Sequence, residues 1–340
     1  MSSPDPRDCL AACILGPTAV GKTDVALLVA ERSGLEILSV DSRQIYRRLE
    51  LGTAKPTAAE RARVRHHLLD ALDPGEICSA HRFRDLALIA LREAGERSAR
   101  LLGVGGAGLY WEALVRGLHD LPSASAEIRA RHVRLLAEEG PDALHRRLRT
   151  VDPPTATRLA PGDTQRVSRA LEVHELTGLP LSALHREPRP DARAIPTVAL
   201  VRDRADLYRR IEERCERILE AGLVGELRDL LATGVPADAP GLRTVGYREF
   251  LPHLREGKPL SACVEEFVRD SRRYAKRQGT WLRHRVPEAV VLHVEADETA
   301  EETAARVGAA LGLDRLRFGP QIAPVVRQEG TTLHLPPEIG

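Results

Sequence analysis

Four short apolar runs punctuate the chain, at Leu10 to Leu15, Ile37 to Val40, Leu101 to Val104 and Val198 to Val201. Each reads as a strand; the first ends in Gly16, the second at Asp41 and the third in Gly105-Gly106. Between them the pattern changes to helical spacing, over Asp24 to Arg32, Arg82 to Ser98 and Ala205 to Ala221. Strands alternating with helices predict an α/β fold with a parallel sheet covered by helices on both faces. In such sheets a ligand lies outside the carboxyl ends of the strands. Gly16 to Thr23, Asp41 to Gln44 and Gly105 to Tyr110 are therefore expected to converge on one cleft.

From Leu121 to about Pro190 the strand signals vanish. The text there, "AEIRARHVRLLAEEG", "PDALHRRLRTV" and "DTQRVSRALEVHELTG", predicts a helical insertion. Tyr208 to Arg285 is again mostly helical, with a turn at "GLRTVGYREF", and the text after Phe318 is Pro-rich and turn-like. The expected organisation is a first core part at 8–120, an insertion at 121–192, a second core part at 193–317 and a tail at 318–340 with no assigned role.

At 340 residues and 43% hydrophobic composition the chain can fill one large α/β domain with an insertion, or two domains. The N-terminus has no signal-like apolar stretch, and no run approaches the roughly 18 apolar residues of a membrane span, so a soluble cytoplasmic protein is expected. A monomer is the simpler expectation. Cys9, Cys13, Cys78, Cys215 and Cys263 form no C-x-x-C pair and have no His at finger spacing, which indicates neither zinc nor a disulfide framework. The net charge of +1 argues against general coating of nucleic acid. Contact with RNA or DNA has to come from local patches. Only Lys22, Lys55, Lys258 and Lys276 are lysines, which makes each more informative.

The segment "GPTAVGKT" (Gly16, Pro17, Thr18, Ala19, Val20, Gly21, Lys22, Thr23) is a G-x-x-x-x-G-K-T phosphate loop between a strand and a helix. Its glycines let backbone N–H groups approach phosphate oxygens, Lys22 neutralises an outer phosphate, and the Thr23 hydroxyl can ligate magnesium. Asp41, in "SVDSRQIY", reads either as a helix cap or loop acid or as a base facing the phosphate-bearing electrophile. "GVGGAGLYWEAL" reads as a glycine turn that also offers backbone donors to the cleft. "RDSRRYAKRQGTWLRHR" sets seven cationic residues against Asp270 alone, and positions 269, 272, 273, 276, 277 and 280 share a helix face, which reads either as a solvated charged surface or, with so much local charge on a chain of net +1, as phosphate-backbone contact. Arg210 and Arg214, at i and i+4, read either as a salt-bridged surface or as a diphosphate clamp.

Together these segments resemble the tRNA dimethylallyltransferases, also called tRNA isopentenyltransferases. The similarity runs through "GPTAVGKT", "SVDSRQIY", "LGTAKPT", "HHLLDALDP", "GVGGAGLY", "DTQRVSRALEVHELTG", "LRTVGYREF" and "AKRQGTWLR", from about Cys13 to about His293. It implies a P-loop NTPase-like fold and transfer of a dimethylallyl group from dimethylallyl diphosphate to the exocyclic amine of the adenosine 3′ of the tRNA anticodon. Magnesium takes part, pyrophosphate leaves, and the insertion grips the anticodon stem-loop. On this resemblance Asp41 is the base, and Lys22, Thr23 and Arg214 act on the leaving group. Asp41, Ser42, Arg43 and Gln44 face the RNA, as do Gln165, Arg166, Val167, Ser168 and Arg169; Arg243, Gly246, Tyr247 and Arg248; and Lys276, Arg277, Gln278, Trp281 and Arg283. Ala107 departs from the family's usual threonine beside the diphosphate. His81-Arg82 in "CSAHRF" is a second departure. A small-molecule kinase on the same scaffold, or a tRNA-binding relative with weakened catalysis, are the competing readings.

Overall fold

In the computed structural model, which describes residues 5–313 apart from 120, 123–124, 187–188 and 190–191, the chain divides into two compact units. One holds the described residues up to Val115 and from Arg193 onward; the other is Arg116–Ala192. The expected turn-like tail at 318–340 lies outside the described residues.

The larger unit begins with β1 (Leu10–Leu15), buried at every position. Gly21, at φ +105°, opens α1 (Lys22–Ser33), and Gly34 in the left-handed region closes it. Next come β2 (Glu36–Val40), α2 (Ala58–Arg63) with a Thr57/Glu60 capping box, β3 (His66–His67), α3 (Ala80–Glu96) capped by Ser79, β4 (Leu101–Gly105) and α4 (Gly108–Val115). The second unit is helical: α5 (Ala126–Glu139), α6 (Pro141–Val151), α7 (Pro153–Arg158), α8 (Thr164–Thr177) and α9 (Leu181–Leu184). The first unit resumes with β5 (Thr197–Val201), α10 (Arg204–Glu220), α11 (Leu223–Ala232), α12 (Leu251–Glu256), α13 (Leu260–Arg285), β6 (Val290–His293) and α14 (Ala300–Leu311).

The strands form one parallel sheet in the order β3-β2-β4-β1-β5-β6. Right-handed crossovers that run in opposite directions from β1 (to β2) and from β3 (to β4) place α1 on one face and α3 on the other. Accordingly α14 packs on α1, while α3 and α13 pack against α4. The order reverses at β1 and β4, so the carboxyl ends of these strands flank the switch point. There the backbones pack closely: a Cβ on Gly105 would sit 1.9 Å from the Val40 carbonyl oxygen. The four strands expected from sequence are present. β3 and β6 are additional, and β6 leaves Val290 and Val291 exposed. No helix among the described residues is long and apolar enough to cross a membrane, and the five cysteines are free.

An ionic network fixes the chain that follows β2. Lys55, with its side chain 1% exposed, donates to the Tyr46 carbonyl, to Glu50 at 2.9 Å and to Asp70; Arg61 joins the same two carboxylates. A buried ammonium is tolerated only with such full pairing. Arg82 pairs with Glu76 and reaches the Ile77 carbonyl, closing the turn before α3. That gives the departure at position 82 a structural role, whereas His81 is exposed.

The helical unit has its own core of Leu135, Leu144, Leu148, Val167, Ala170 and Leu171. Within it the buried Glu172 accepts from the Ser125 amide and pairs with Arg129 and Arg169, and buried His132 lies between Ser168 (2.8 Å) and Glu175 (2.9 Å). The excursion leaves and rejoins the first unit at one point, where the Arg193 amide donates to the Val115 carbonyl at 2.8 Å.

Candidate active site

The turn from Gly16 to Thr23 runs from the tip of β1 into the amino end of α1. Gly16 donates to the Gly105 carbonyl at 3.3 Å, and a Cβ there would meet the Leu200 carbonyl at 2.9 Å. The Thr18 amide donates to Gln278 Oε1 (2.9 Å), and Gln278 Nε2 donates to the Gly106 carbonyl (3.0 Å). The amides of Ala19, Gly21, Lys22 and Thr23 make no hydrogen bond among the described residues. Unsatisfied N–H groups at a helix amino end form an anion cradle. They open on a cavity of about 380 Å³ lined by Ala19, Gly21, Lys22, Thr23, Arg210 and Arg214, among others.

Charge in this cavity is balanced across elements. Burial pushes the Lys22 ammonium down to about 8; Asp41 opposes the shift and Arg214 adds to it. Lys22 meanwhile donates to the Pro17 carbonyl at 2.8 Å. Burial also lowers the pKa of the Arg214 guanidinium, which feels Asp41 and Arg43. Asp41 Oδ1 accepts from the amides of Arg43 (2.8 Å) and Gln44 (3.3 Å), while Oδ2 has no partner among the described residues. The carboxylate thus caps its turn with one oxygen and keeps the other available, so the two sequence readings of Asp41 are compatible. The Arg43 guanidinium lies 3.7 Å from the centre of the Tyr274 ring. Gln44 is engaged at both ends, by the Ser39 hydroxyl and the Ala54 carbonyl. The Ala107 amide donates to the Val40 carbonyl at 3.3 Å, beside the carboxyl ends of β2 and β4.

Several residues expected to face RNA do not. Val167 is 0% exposed, on the inner face of α8. Tyr247 is 0% exposed, with its hydroxyl held between the Gly52 amide and Glu226. Gly246, at φ +108°, packs on the Gly52 backbone, where a Cβ would come within 2.8 Å of its carbonyl oxygen. Gln278, 7% exposed, belongs to the inner stripe of α13 with Phe267, Ser271, Ala275 and Leu282. Trp281 is half-buried: a Cβ on Gly108 would meet its ring at 2.2 Å, and it meets Trp111 edge-on. Ser168 and Arg169 are bound to His132 and Glu172, as described.

The other side chains are accessible. Gln165 and Arg166 are exposed on α8, and Arg243, Arg248, Lys276, Arg277 and Arg283 are exposed in the first unit. Tertiary pairing neutralises two of the α13 cations, Arg272 by Glu212 and Arg285 by Glu112, whereas the helix's own Asp270 is shared among Arg248, Arg269 and Arg273. No carboxylate among the described residues pairs with Lys276, Arg277 or Arg283. The bridging role of Gln278 went unread, although its place in the buried stripe was visible in the spacing.

A parallel sheet with a Gly-Lys-Thr turn at its switch point, opposed by a carboxylate and a half-buried guanidinium, defines a P-loop enzyme. The IPP transferase family model matches residues 44–285, and the chain belongs to that family. It is 48% identical over 275 residues to the tRNA dimethylallyltransferase of Halorhodospira halophila, a match covering 80% of this chain and 89% of that protein. The corresponding protein of Sorangium cellulosum is 45% identical over 294 residues, covering 86% and 93%. The solved tRNA isopentenylpyrophosphate transferase of Bacillus halodurans superposes with a TM-score of 0.63 at 34% identity, covering 89% of this chain and 96% of its own. A eukaryotic dimethylallyltransferase acting on tRNA gives a TM-score of 0.73 at 26% identity, covering 87% and 77%.

Proposed function

We propose that this chain transfers the dimethylallyl group of dimethylallyl diphosphate to the exocyclic amine of the adenosine 3′-adjacent to a tRNA anticodon. One observation carries the reading: in a chain of the IPP transferase family, Lys22 and Arg214 line a P-loop cavity and the Asp41 carboxylate acts electrostatically on both. As the bond from the amine nitrogen to the allylic carbon forms, the bond from that carbon to the diphosphate oxygen breaks. The amine proton passes to Asp41 Oδ2, and the departing pyrophosphate takes the electron pair. Lys22, Arg214 and the loop amides stabilise its charge.

The Thr23 hydroxyl makes no hydrogen bond among the described residues and suits a hard cation that prefers oxygen. Thr23 would hold magnesium together with diphosphate oxygens, and the ion supplies further neutralisation of the leaving group. The target adenine is flipped out of its stack to reach Asp41. Lys276, Arg277, Arg283 and Arg243 in the first unit, and Gln165 and Arg166 in the helical unit, contact the RNA backbone. An RNA acceptor of this kind places the work in the cytoplasm, and one chain carries every group the reaction uses.

The test is single-turnover transfer of label from dimethylallyl diphosphate to unmodified tRNA with an A-A-A run across the target position. Product on tRNA, none on free AMP and no phosphoryl transfer from ATP are expected. Phosphoryl transfer would return the chain to the kinase reading, and tRNA binding without product would make it a binding module. Within the same assay Ala107→Thr is expected to raise the rate at least several-fold, because a hydroxyl beside the diphosphate adds a hydrogen bond to a charged group, worth up to roughly 1.5 to 3 kcal/mol. An unchanged rate would show that another group already makes the contact.

The Lys22 shift gives a pH signature. Above pH 8 the free site has largely lost this proton, and a bound diphosphate restores it by raising the ammonium's pKa. Binding of dimethylallyl diphosphate is expected to take up on the order of one proton at pH 8.5 and little at pH 7. Calorimetry in buffers of different ionisation enthalpy reads this directly, and equal uptake at both values would remove Lys22 from the cradle.

A further inference from the structure

Two arginines hold successive carbonyls of the phosphate loop. Arg210 Nε, on α10, donates to the Ala19 carbonyl at 2.9 Å, and Arg202 Nε, just after β5, donates to the Val20 carbonyl at 3.0 Å. Arg202 is itself held: Nη1 donates to Asp206 at 2.9 Å and to the Glu295 carbonyl at 2.8 Å, and the side chains of Arg202 and Asp206 are 5% and 9% exposed. These contacts fall on the irregular part of the loop, where Ala19 has φ +64° and Gly21 φ +105°.

A trans peptide is planar and points its C=O and N–H in opposite directions. Fixing the Val20 carbonyl against Arg202 therefore aims the Gly21 N–H away from Arg202. Fixing the Ala19 carbonyl against Arg210 aims the Val20 N–H toward the Pro17 carbonyl, which accepts it at 3.4 Å and closes the turn. The Gly21 amide is left without a partner, in a residue that lines the cavity with Lys22 and Thr23. Arg202 does not line that cavity; it lines an adjoining one of about 200 Å³, and Gly21, Asp24 and Arg210 line both.

We infer that Arg202 and Arg210 latch the phosphate loop by its carbonyls, and that Arg202 is a positioning residue that selects diphosphate affinity by setting the direction of the Gly21 amide. The inference rests on the reading of the cradle as a diphosphate site. Without the latch the 20–21 peptide is free to rotate, and the ligand must reorder it on binding.

The test compares Arg202→Ala with the unaltered enzyme in three readouts: kcat/KM for dimethylallyl diphosphate, inhibition by inorganic pyrophosphate, and KM for tRNA. The expected result is a fall of about tenfold in the first and a similar rise in the pyrophosphate inhibition constant, with KM for tRNA unchanged within about twofold. Arg202→Lys keeps a charge for Asp206, but its single ammonium reaches the carboxylate or the Val20 carbonyl and not both. It folds if the alanine variant does not, and an effect of about threefold is expected. Pyrophosphate that fails to compete with dimethylallyl diphosphate in the unaltered enzyme overturns the cradle reading and this inference with it. Normal competition that both variants leave unchanged, or a rise in KM for tRNA equal to that for the diphosphate, overturns the latch alone.

Discussion

Asp41→Asn lowers the single-turnover rate of prenyl transfer by about 10² to 10⁴. The substitution isolates the chemistry because Asn retains an oxygen to accept from the Arg43 and Gln44 amides, the contacts that shape the turn. What it loses is the proton acceptor and the negative charge. The lone pair of the adenine amine is delocalised into the ring, so the nitrogen attacks only as its proton leaves. A carboxylate within reach supplies that step, and an amide cannot. Removing the charge also takes away the group that opposes the fall in the Lys22 pKa, so the comparison belongs near pH 7 with saturating dimethylallyl diphosphate. A rate within about threefold of the unaltered enzyme would mean that another base, or water, takes the proton.

Arg214→Gln is expected to cost about 10² to 10³ in the same rate, the range for removal of one charge-stabilising donor from a shielded site. Arg214 shares its neighbourhood with Lys22 and Asp41, where the proposed reaction develops leaving-group charge. Its contribution should grow as the carbon–oxygen bond breaks, so the loss falls on the rate at saturation more than on KM. A change in KM alone would make Arg214 a binding group. The variant carries an internal check: Arg214 depresses the Lys22 pKa, so its removal raises that pKa and shrinks the proton uptake at pH 8.5.

Much of this site was legible because its parts are local. "GPTAVGKT" forms its loop from contiguous residues, the fully buried β1 announces itself as an unbroken apolar run, and β5 shows the apolar stretch Val198 to Val201. β3 offers only His66-His67, and β6 is a four-residue edge with two exposed valines, so neither gives a periodic signal. The surface residues were harder, for a different reason. A resemblance carries over whole segments, whereas a helix turns its residues to opposite sides. Gln165 and Arg166 point outward on α8 while the next residue, Val167, points into the core. Gln278 was hidden in the same way, since its partners Thr18 and Gly106 are distant in the chain.

The hydrogen bond between Arg193 and Val115 bears on how such a protein changes over time. Both ends of the helical excursion are pinned to one point, so lengthening or shortening it alters only a closed loop, whose closure entropy grows with the logarithm of its length. Strand order and register in the sheet are indifferent to what hangs from that staple. The helical unit is in this sense a cassette: its sequence and length can change without disturbing the order or register of the strands that carry the phosphate loop.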